Sequence, residues 1–442
     1  MKSKLKKFID CIKNNKLICV ILLISLVLHI ATLCTLGYEY GLKSDDASYI
    51  ASGIEFKNTG MLTMHGVRSG QIMPGMTWII AFVSLIFGEG KLLMIVLKIL
   101  WMIMGLLSVL GVYKITRLFA NKFFSSMAAL GLLVIDFIWM DNIILTETPF
   151  MLGFIYLIYA SFKLERTKEN KYFIQIIFFY MFSLMFKANI AVYPAFLIVY
   201  LLFKKYDFKV LLKQIGIALI VLLVFLIPWI IRNYIVFNKF IPLTYGTGNP
   251  LLMGTYQGYN YPEDNEEEYN KVIEENASEE MKSYINGTAT DKLYKRGYYS
   301  LEKDGLIANY RMKKWWHDDK ASMIKSYLVY KPYIIVYNSF LWEPVFGITK
   351  TDILPLRRVD IVLTAICGLI ALIDKKYRKE VLFLGFNYVF QVLVYSYTFA
   401  FDRYGQTLIF LRFIVIGIGL QIIYDFIKNK FRKNKEALNE KN

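Results

Sequence analysis

Long apolar blocks alternate with short, strongly basic ones along this chain. The first block, ICVILLISLVLHIATLC (18–34), is close to the roughly 20 residues a helix needs to cross a bilayer. The same patterning predicts helices at about 17–36, 91–113, 123–142, 148–162, 172–186, 189–203, 212–231, 359–374, 380–400 and 406–427. Lys/Arg clusters favour the cytoplasmic side, which places 1–16, 114–122 (KITRLFANK), 163–171, 204–213, 374–380 (DKKYRKE) and the tail 428–442 there. Two apolar stretches break the alternation, PGMTWIIAFVSLIFG (74–88) and YIIVYNSFLWEPVFGI (333–348). Counting either as a single crossing would put a later basic cluster outside. Both are therefore predicted as interfacial or re-entrant segments on the outer side.

Composition agrees with an all-α, polytopic membrane protein of about ten transmembrane helices. The chain has 442 residues, 56% of them hydrophobic, with a mean hydropathy of +0.42. A net charge of +17 would suggest nucleic acid in a soluble protein. Here the basic loops that set topology account for it, so the expected surroundings are membrane lipids and no nucleic acid is expected as a partner. The basic N-terminus MKSKLKKFIDCIKNNK leads into the first block without a small-residue cleavage site and is read as an uncleaved signal-anchor. The four cysteines are scattered and suggest neither a disulfide framework nor a zinc site. Three regions follow. Residues 1–231 form a transmembrane module with a first outer loop at 37–90, 232–358 an extracytoplasmic loop and helical region, and 359–442 the last helices and a basic tail.

This topology collects ionisable residues on one outer face. Asp45 and Asp46 in SDDASYI follow the first span directly. A carboxylate there can act as a general base, and a pair can bind a hard divalent cation; a solvated loop start is the plainer alternative. Glu147 in LTETPF stands between two apolar helices at membrane depth, where an ionised group is costly. The plainer account makes Thr146 an N-cap and Glu147 a favourable first-turn charge. Lys187 interrupts LMFKANIAVYP, Arg232 follows PWII, and Arg403 lies in FDRYG. Such cations either snorkel to headgroups or bind a phosphate, Arg as a fork and Lys as a point charge. The glycine-rich YGTGNPLLMGTYQG (245–258) lacks the marks of a P-loop or a dinucleotide fingerprint. His29, His65 and His317 show no metal spacing, and the acidic run EDNEEE (263–268) reads as a solvated face.

Taken in order, these stretches resemble the GT-C membrane glycosyltransferases, in particular glycosyltransferase family 39 with its protein mannosyltransferase and aminoarabinose transferase branches. The matching pieces are SDDASYI, QIMPGMTW, LTETPF, FKANIAVYP, PWIIRNYIVFNKFIPLT and DRYGQTLIFLRF. The resemblance implies a polyprenyl-phosphate sugar donor, a lipid, glycan or protein acceptor, an active site on the extracytoplasmic face of the cell membrane, and inverting transfer. It implies Asp45 as the base and Glu147 near the donor phosphate or a divalent metal, for which Asp45 and Glu147 are the candidate ligands. Asp46, Lys187, Arg232, Arg403 and Tyr404 are the candidate substrate-binding residues. Aminoarabinose-type relatives carry a Glu-Lys pair where Gln71-Ile72 stands here, so neither sugar nor acceptor carries over from that branch.

Two other classes compete. A transporter or flippase of lipid-linked glycans would show ionisable groups deep inside its spans and internal repeats; Asp136 is the one candidate mid-span carboxylate. A polymerase or ligase of surface polysaccharide would share the outer cations without needing SDDASY.

Overall fold

A computed structural model describes residues 14–262, 265–290 and 295–439. The basic stretch 1–13 and the first two residues of the acidic run at 263–268 lie outside the described residues.

Apolar periodicity becomes a helical bundle. The first long helix, Lys16–Leu36, runs from one end of the bundle to the other, and Lys91–Thr116 returns. The return is fixed by contacts at its far end. Tyr113 Oη donates to Asn15 Oδ1 (3.2 Å) and Lys122 Nζ to the Asn14 carbonyl (2.7 Å). Everything between, including the 13-residue helix Gly75–Phe87, therefore makes no net crossing. At 1.5 Å per residue that helix is about 20 Å long, too short for a hydrocarbon core of about 30 Å. The same logic holds later. Phe208–Phe237 rises, Lys350–Ile373 descends, and the apolar stretch 333–348 becomes the end of a short helix, Lys331–Tyr337, followed by a loop.

The basic clusters meet at one end, as their placement on a common face requires. Lys204 pairs with Glu380 (2.6 Å) and Glu165 (3.6 Å), Arg166 donates to the Leu118 carbonyl (2.5 Å), and Phe119 packs on Tyr377 with ring centroids 5.5 Å apart. Four sequence segments are tied together there.

Glu147–Thr167 is the central helix. It is buried along most of its length, with Phe150, Phe154, Ile155 and Phe162 packed between neighbours. Phe208–Phe237 is its opposite, exposing Leu219, Ile220, Leu223 and Val224 as an apolar belt suited to lipid. By length and composition, four helices among the described residues can each cross a membrane: Lys16–Leu36, Lys91–Thr116, Phe208–Phe237 and Asp402–Asn434.

The helix predicted over 123–142 is broken in three: Lys122–Leu130, a 3-10 turn at Gly131–Leu133, and Ile135–Met140. A Cβ on Gly131 would stand 2.7 Å from the Phe413 ring, so the turn presses backbone against the last helix. The break carries Asp136 into a buried cluster with Arg357 and Ser339. Chain at 232–262, rich in Gly, Pro and Tyr, extends the preceding helix to Phe237 and adds a short one, Gly248–Gly254. Further helices at Glu266–Asn276, Glu279–Ile285 and Arg296–Asp318 form the hydrophilic region. The chain just after Gly248–Gly254 docks on the segment leading to Arg403: Gln257 bonds both the N–H (2.9 Å) and the carbonyl (3.0 Å) of Ala400.

Candidate active site

Four ionisable side chains, distant in sequence, meet at the end of the bundle opposite the basic clusters. Each stands where a helix starts or stops, because a polar residue inserted in an apolar run ends the run at that point. Asp45 opens the helix Asp45–Thr59, where the positive end of the helix dipole favours its charge. Glu147 opens the central helix. Lys187 lies just past the end of Asn170–Leu184, in a turn held by Gly75 N–H on the Met185 carbonyl (2.9 Å). Arg403 sits in the five-residue helix Asp402–Gln406 ahead of the last span.

Arg403 joins the two carboxylates. Its Nη2 is 2.8 Å from Asp45 Oδ2 and its Nε is 3.9 Å from Glu147 Oε1. Lys187 Nζ donates to Glu147 Oε1 at 2.8 Å. The four charges cancel in pairs, which suits a site where Glu147 is only 2% exposed. Burial alone would lower the Lys187 ammonium, but Glu147 and the Tyr395 and Tyr404 hydroxyls outweigh it and hold the group above its usual range. Tyr404 stacks on Tyr395 (centroids 4.7 Å apart, planes 20°) and its ring lies 4.7 Å from Lys187 Nζ, adding a cation–π contact. Arg403 Nε is buried, faces Glu147 Oε1 at 3.9 Å and has no hydrogen-bond partner.

Further residues complete the surroundings that sequence patterning missed. His65 sits at a hairpin tip between Thr63–Met64 and Val67–Arg68, with φ of 50° followed by Gly66 at 75°, the positive pair a two-residue turn demands. Its Nδ1 is 2.9 Å from Ser48 Oγ and its Nε2 3.9 Å from Asp45 Oδ1. Asn189 Nδ2 donates to Gln391 Oε1 and Tyr395 Oη (both 2.6 Å). The available signal was polar Asn, Gln and Tyr inside apolar runs.

Two expected substrate-binding residues have other tasks. Asp46 is buried and turned into its own loop, accepting from Leu42 N–H (2.7 Å) and Ser44 N–H (2.9 Å). A Cβ on Gly41 would be 2.3 Å from its carboxylate, so that turn requires glycine. Neighbours on a helix do not share a face, and only Asp45 looks toward Arg403. Arg232 does not join Lys187 and Arg403. Its guanidinium donates to the Ser69 carbonyl (2.7 Å), Asn233 Oδ1 (2.9 Å) and the Leu62 carbonyl (3.4 Å), closing the base of the hairpin. Arg232→Ala should therefore lower stability by about 1–3 kcal/mol, since two buried carbonyls lose a partner. Thermal unfolding would measure that loss, and ligand binding at Lys187 and Arg403 should survive it. Thr146 stands at the N-cap position of the central helix, but its hydroxyl caps no backbone N–H and donates instead to Glu147 Oε2 (3.2 Å).

Asp45 and Glu147 do not fit a divalent metal. The Arg403 guanidinium already lies between them, and a fixed cation there opposes a second one. Among the described residues no group of three or more His, Cys, Asp or Glu side chains is placed to hold an ion.

Residues 71–231 match the family model for dolichyl-phosphate-mannose-protein mannosyltransferases. No curated protein matches the sequence. Among solved structures, the chain resembles the Archaeoglobus fulgidus oligosaccharyltransferase tethered to an acceptor peptide, at 10% identity and a TM-score of 0.54, over 92% of this chain and 50% of that one. The chain thus spans half the length of that relative, and the likeness is one of fold. ArnT from Cupriavidus metallidurans bound to undecaprenyl phosphate aligns at 13% identity over 92% of this chain and 77% of its own, with a TM-score of 0.42. Residues 71–231, just over a third of the chain, thus resemble the dolichyl-phosphate-mannose-protein mannosyltransferases, within a helical fold similar to that of the oligosaccharyltransferase.

Proposed function

We propose that the protein transfers a sugar from a polyprenyl-phosphate donor to an acceptor hydroxyl at the extracytoplasmic face of the cell membrane, with inversion at the anomeric carbon. The observation that carries this reading is the Asp45–Arg403–Glu147–Lys187 chain, which sets a carboxylate beside two cations at one end of an apolar bundle. The family name supplies the donor class, a sugar on a lipid phosphate.

The chemistry follows from the charges. Asp45 takes the proton of the acceptor hydroxyl as its oxygen bonds to the anomeric carbon. The bond from that carbon to the phosphate oxygen breaks, and the electron pair leaves with the polyprenyl phosphate. Arg403 and Lys187 stabilise the charge gathering on that phosphate. A glycosidase protonates its leaving group with a second carboxyl; a phosphate leaves as an anion, so one base and two cations suffice. Glu147, bonded to Lys187 and near Arg403, positions the cations.

Donor class is tested with the protein in nanodiscs by thermal shift against short-chain polyprenyl phosphate and the matching polyprenol. The phosphate should stabilise the protein well beyond the alcohol, and Arg403→Lys should remove most of the difference, since the fork is lost. Equal shifts from both lipids would sink the proposal. The sidedness is tested separately. Single cysteines within 265–290 should react with an impermeant thiol reagent in intact cells, and those at 163–171 or 374–380 should not.

A further inference from the structure

The loop between Lys331–Tyr337 and Lys350–Ile373 walls a cleft of about 430 Å³ lined by Trp342, Glu343, Thr349, Lys350 and Thr351. That volume falls within the range of small-molecule sites. Trp342 stays 43% exposed, yet it is fixed in place. Its Nε1 donates to both Asp402 oxygens (3.2 and 3.3 Å), and Lys350 Nζ donates to the same carboxylate (2.7 Å). Beneath it, Phe340 packs on Trp139 (4.8 Å), Phe340 N–H reaches Gln406 Oε1 (3.4 Å), and Ser339 Oγ donates to Asp136 Oδ2 (2.6 Å). These contacts tie the wall to Asp402, Gln406 and Asp136.

Its position is as telling as its lining. Asp402, which anchors Trp342 and Lys350, is followed in sequence by Arg403, which anchors Asp45. On the other side the Trp139 ring lies 6.4 Å from that of Trp342, and its Nε1 donates to the Tyr40 hydroxyl (3.0 Å), just ahead of the turn that sets Asp46 and Asp45. The cleft therefore adjoins the carboxylate proposed as the base.

We propose that the cleft at 341–351 is the acceptor subsite and that it takes a pyranose ring, so that the acceptor is a carbohydrate. This rests on the transfer reading above. A pyranose has one face of C–H groups and a rim of hydroxyls. The half-exposed indole meets the face, Glu343 accepts from the rim, and Lys350 and Thr351 donate to it. An extended peptide finds less. Val345 and Ile348 bond to each other (3.1 and 2.9 Å), leaving no ladder for an added strand at that bridge.

The test is saturation-transfer NMR on the full chain in nanodiscs, with methyl α-mannopyranoside, methyl β-glucopyranoside, N-acetylglucosamine and a neutral Ser/Thr peptide as separate probes. At least one pyranoside should receive saturation at its ring protons, Trp342→Ala should cut its affinity at least about tenfold, and Trp342→Phe should keep it. Glu343→Gln, at the exposed rim, provides a second variant that does not depend on the anchored indole and should also weaken binding. Saturation of the peptide alone, of no pyranoside, or of a pyranoside equally in all variants overturns the proposal. The polyprenyl phosphate shift is recorded in the same samples. Its presence with no pyranoside binding rejects the acceptor subsite alone, whereas its absence in the unmodified protein rejects the transfer reading.

Discussion

Asp45→Asn should abolish sugar transfer, lowering the rate by about 10²–10⁴-fold, the contribution of a positioned general base. The change keeps the side chain's shape and removes its basicity. It also removes one partner of Arg403, but Asp45 is partly solvated, so the fold should tolerate the loss. Polyprenyl phosphate binding should persist or tighten, because Arg403 is freed from a competing carboxylate. Asp46→Asn gives the contrasting outcome. Both Asp46 oxygens accept backbone N–H groups, and an amide offers one acceptor and one misplaced donor. That variant should unfold at lower temperature and lose activity in step with folded protein. Turnover by Asp45→Asn near the unmodified rate would remove Asp45 from the chemistry.

Much of this arrangement was legible in the sequence, for a physical reason. A charged residue inside an apolar run is expensive, so its position marks where a span ends or a site begins. Glu147, Lys187 and Arg403 were found that way, and the structure brings them together with Asp45. The rule gives depth and not azimuth. Arg232 ends a span just as Lys187 adjoins one, yet it turns to the carbonyls of Leu62 and Ser69. Asp46 shares Asp45's depth but lies on another face of its helix. The break at 131–134 left no polar mark, since GLLV is apolar throughout and only packing against Phe413 distinguishes it. Trp342 was hidden for the opposite reason. It stands in the apolar stretch 333–348, where hydropathy suggested a re-entrant segment, and only its hydrogen bonds to Asp402 place it at a cleft.

The Lys187–Glu147 pair separates stability from function most sharply. Lys187→Met alone should destabilise the protein by about 3–5 kcal/mol, because it leaves a buried carboxylate with only Arg403 at 3.9 Å to offset it. Glu147→Gln alone leaves the Lys187 ammonium buried against aromatic rings and should cost a similar amount. Together the two changes remove both charges, and the double variant should regain most of the lost stability, a coupling that a double-mutant cycle in thermal unfolding reads directly. Activity should not return with it. Lys187 supplies positive charge for the leaving phosphate, and without Glu147 the Asp45 carboxylate alone pairs with Arg403 among the described carboxylates, so transfer should stay about 10²–10³-fold down even in a well-folded double variant. A purely structural pair behaves differently, recovering rate along with stability. Recovery of transfer in the double variant would therefore remove Lys187 and Glu147 from the site's chemistry and leave Asp45 and Arg403 to account for it.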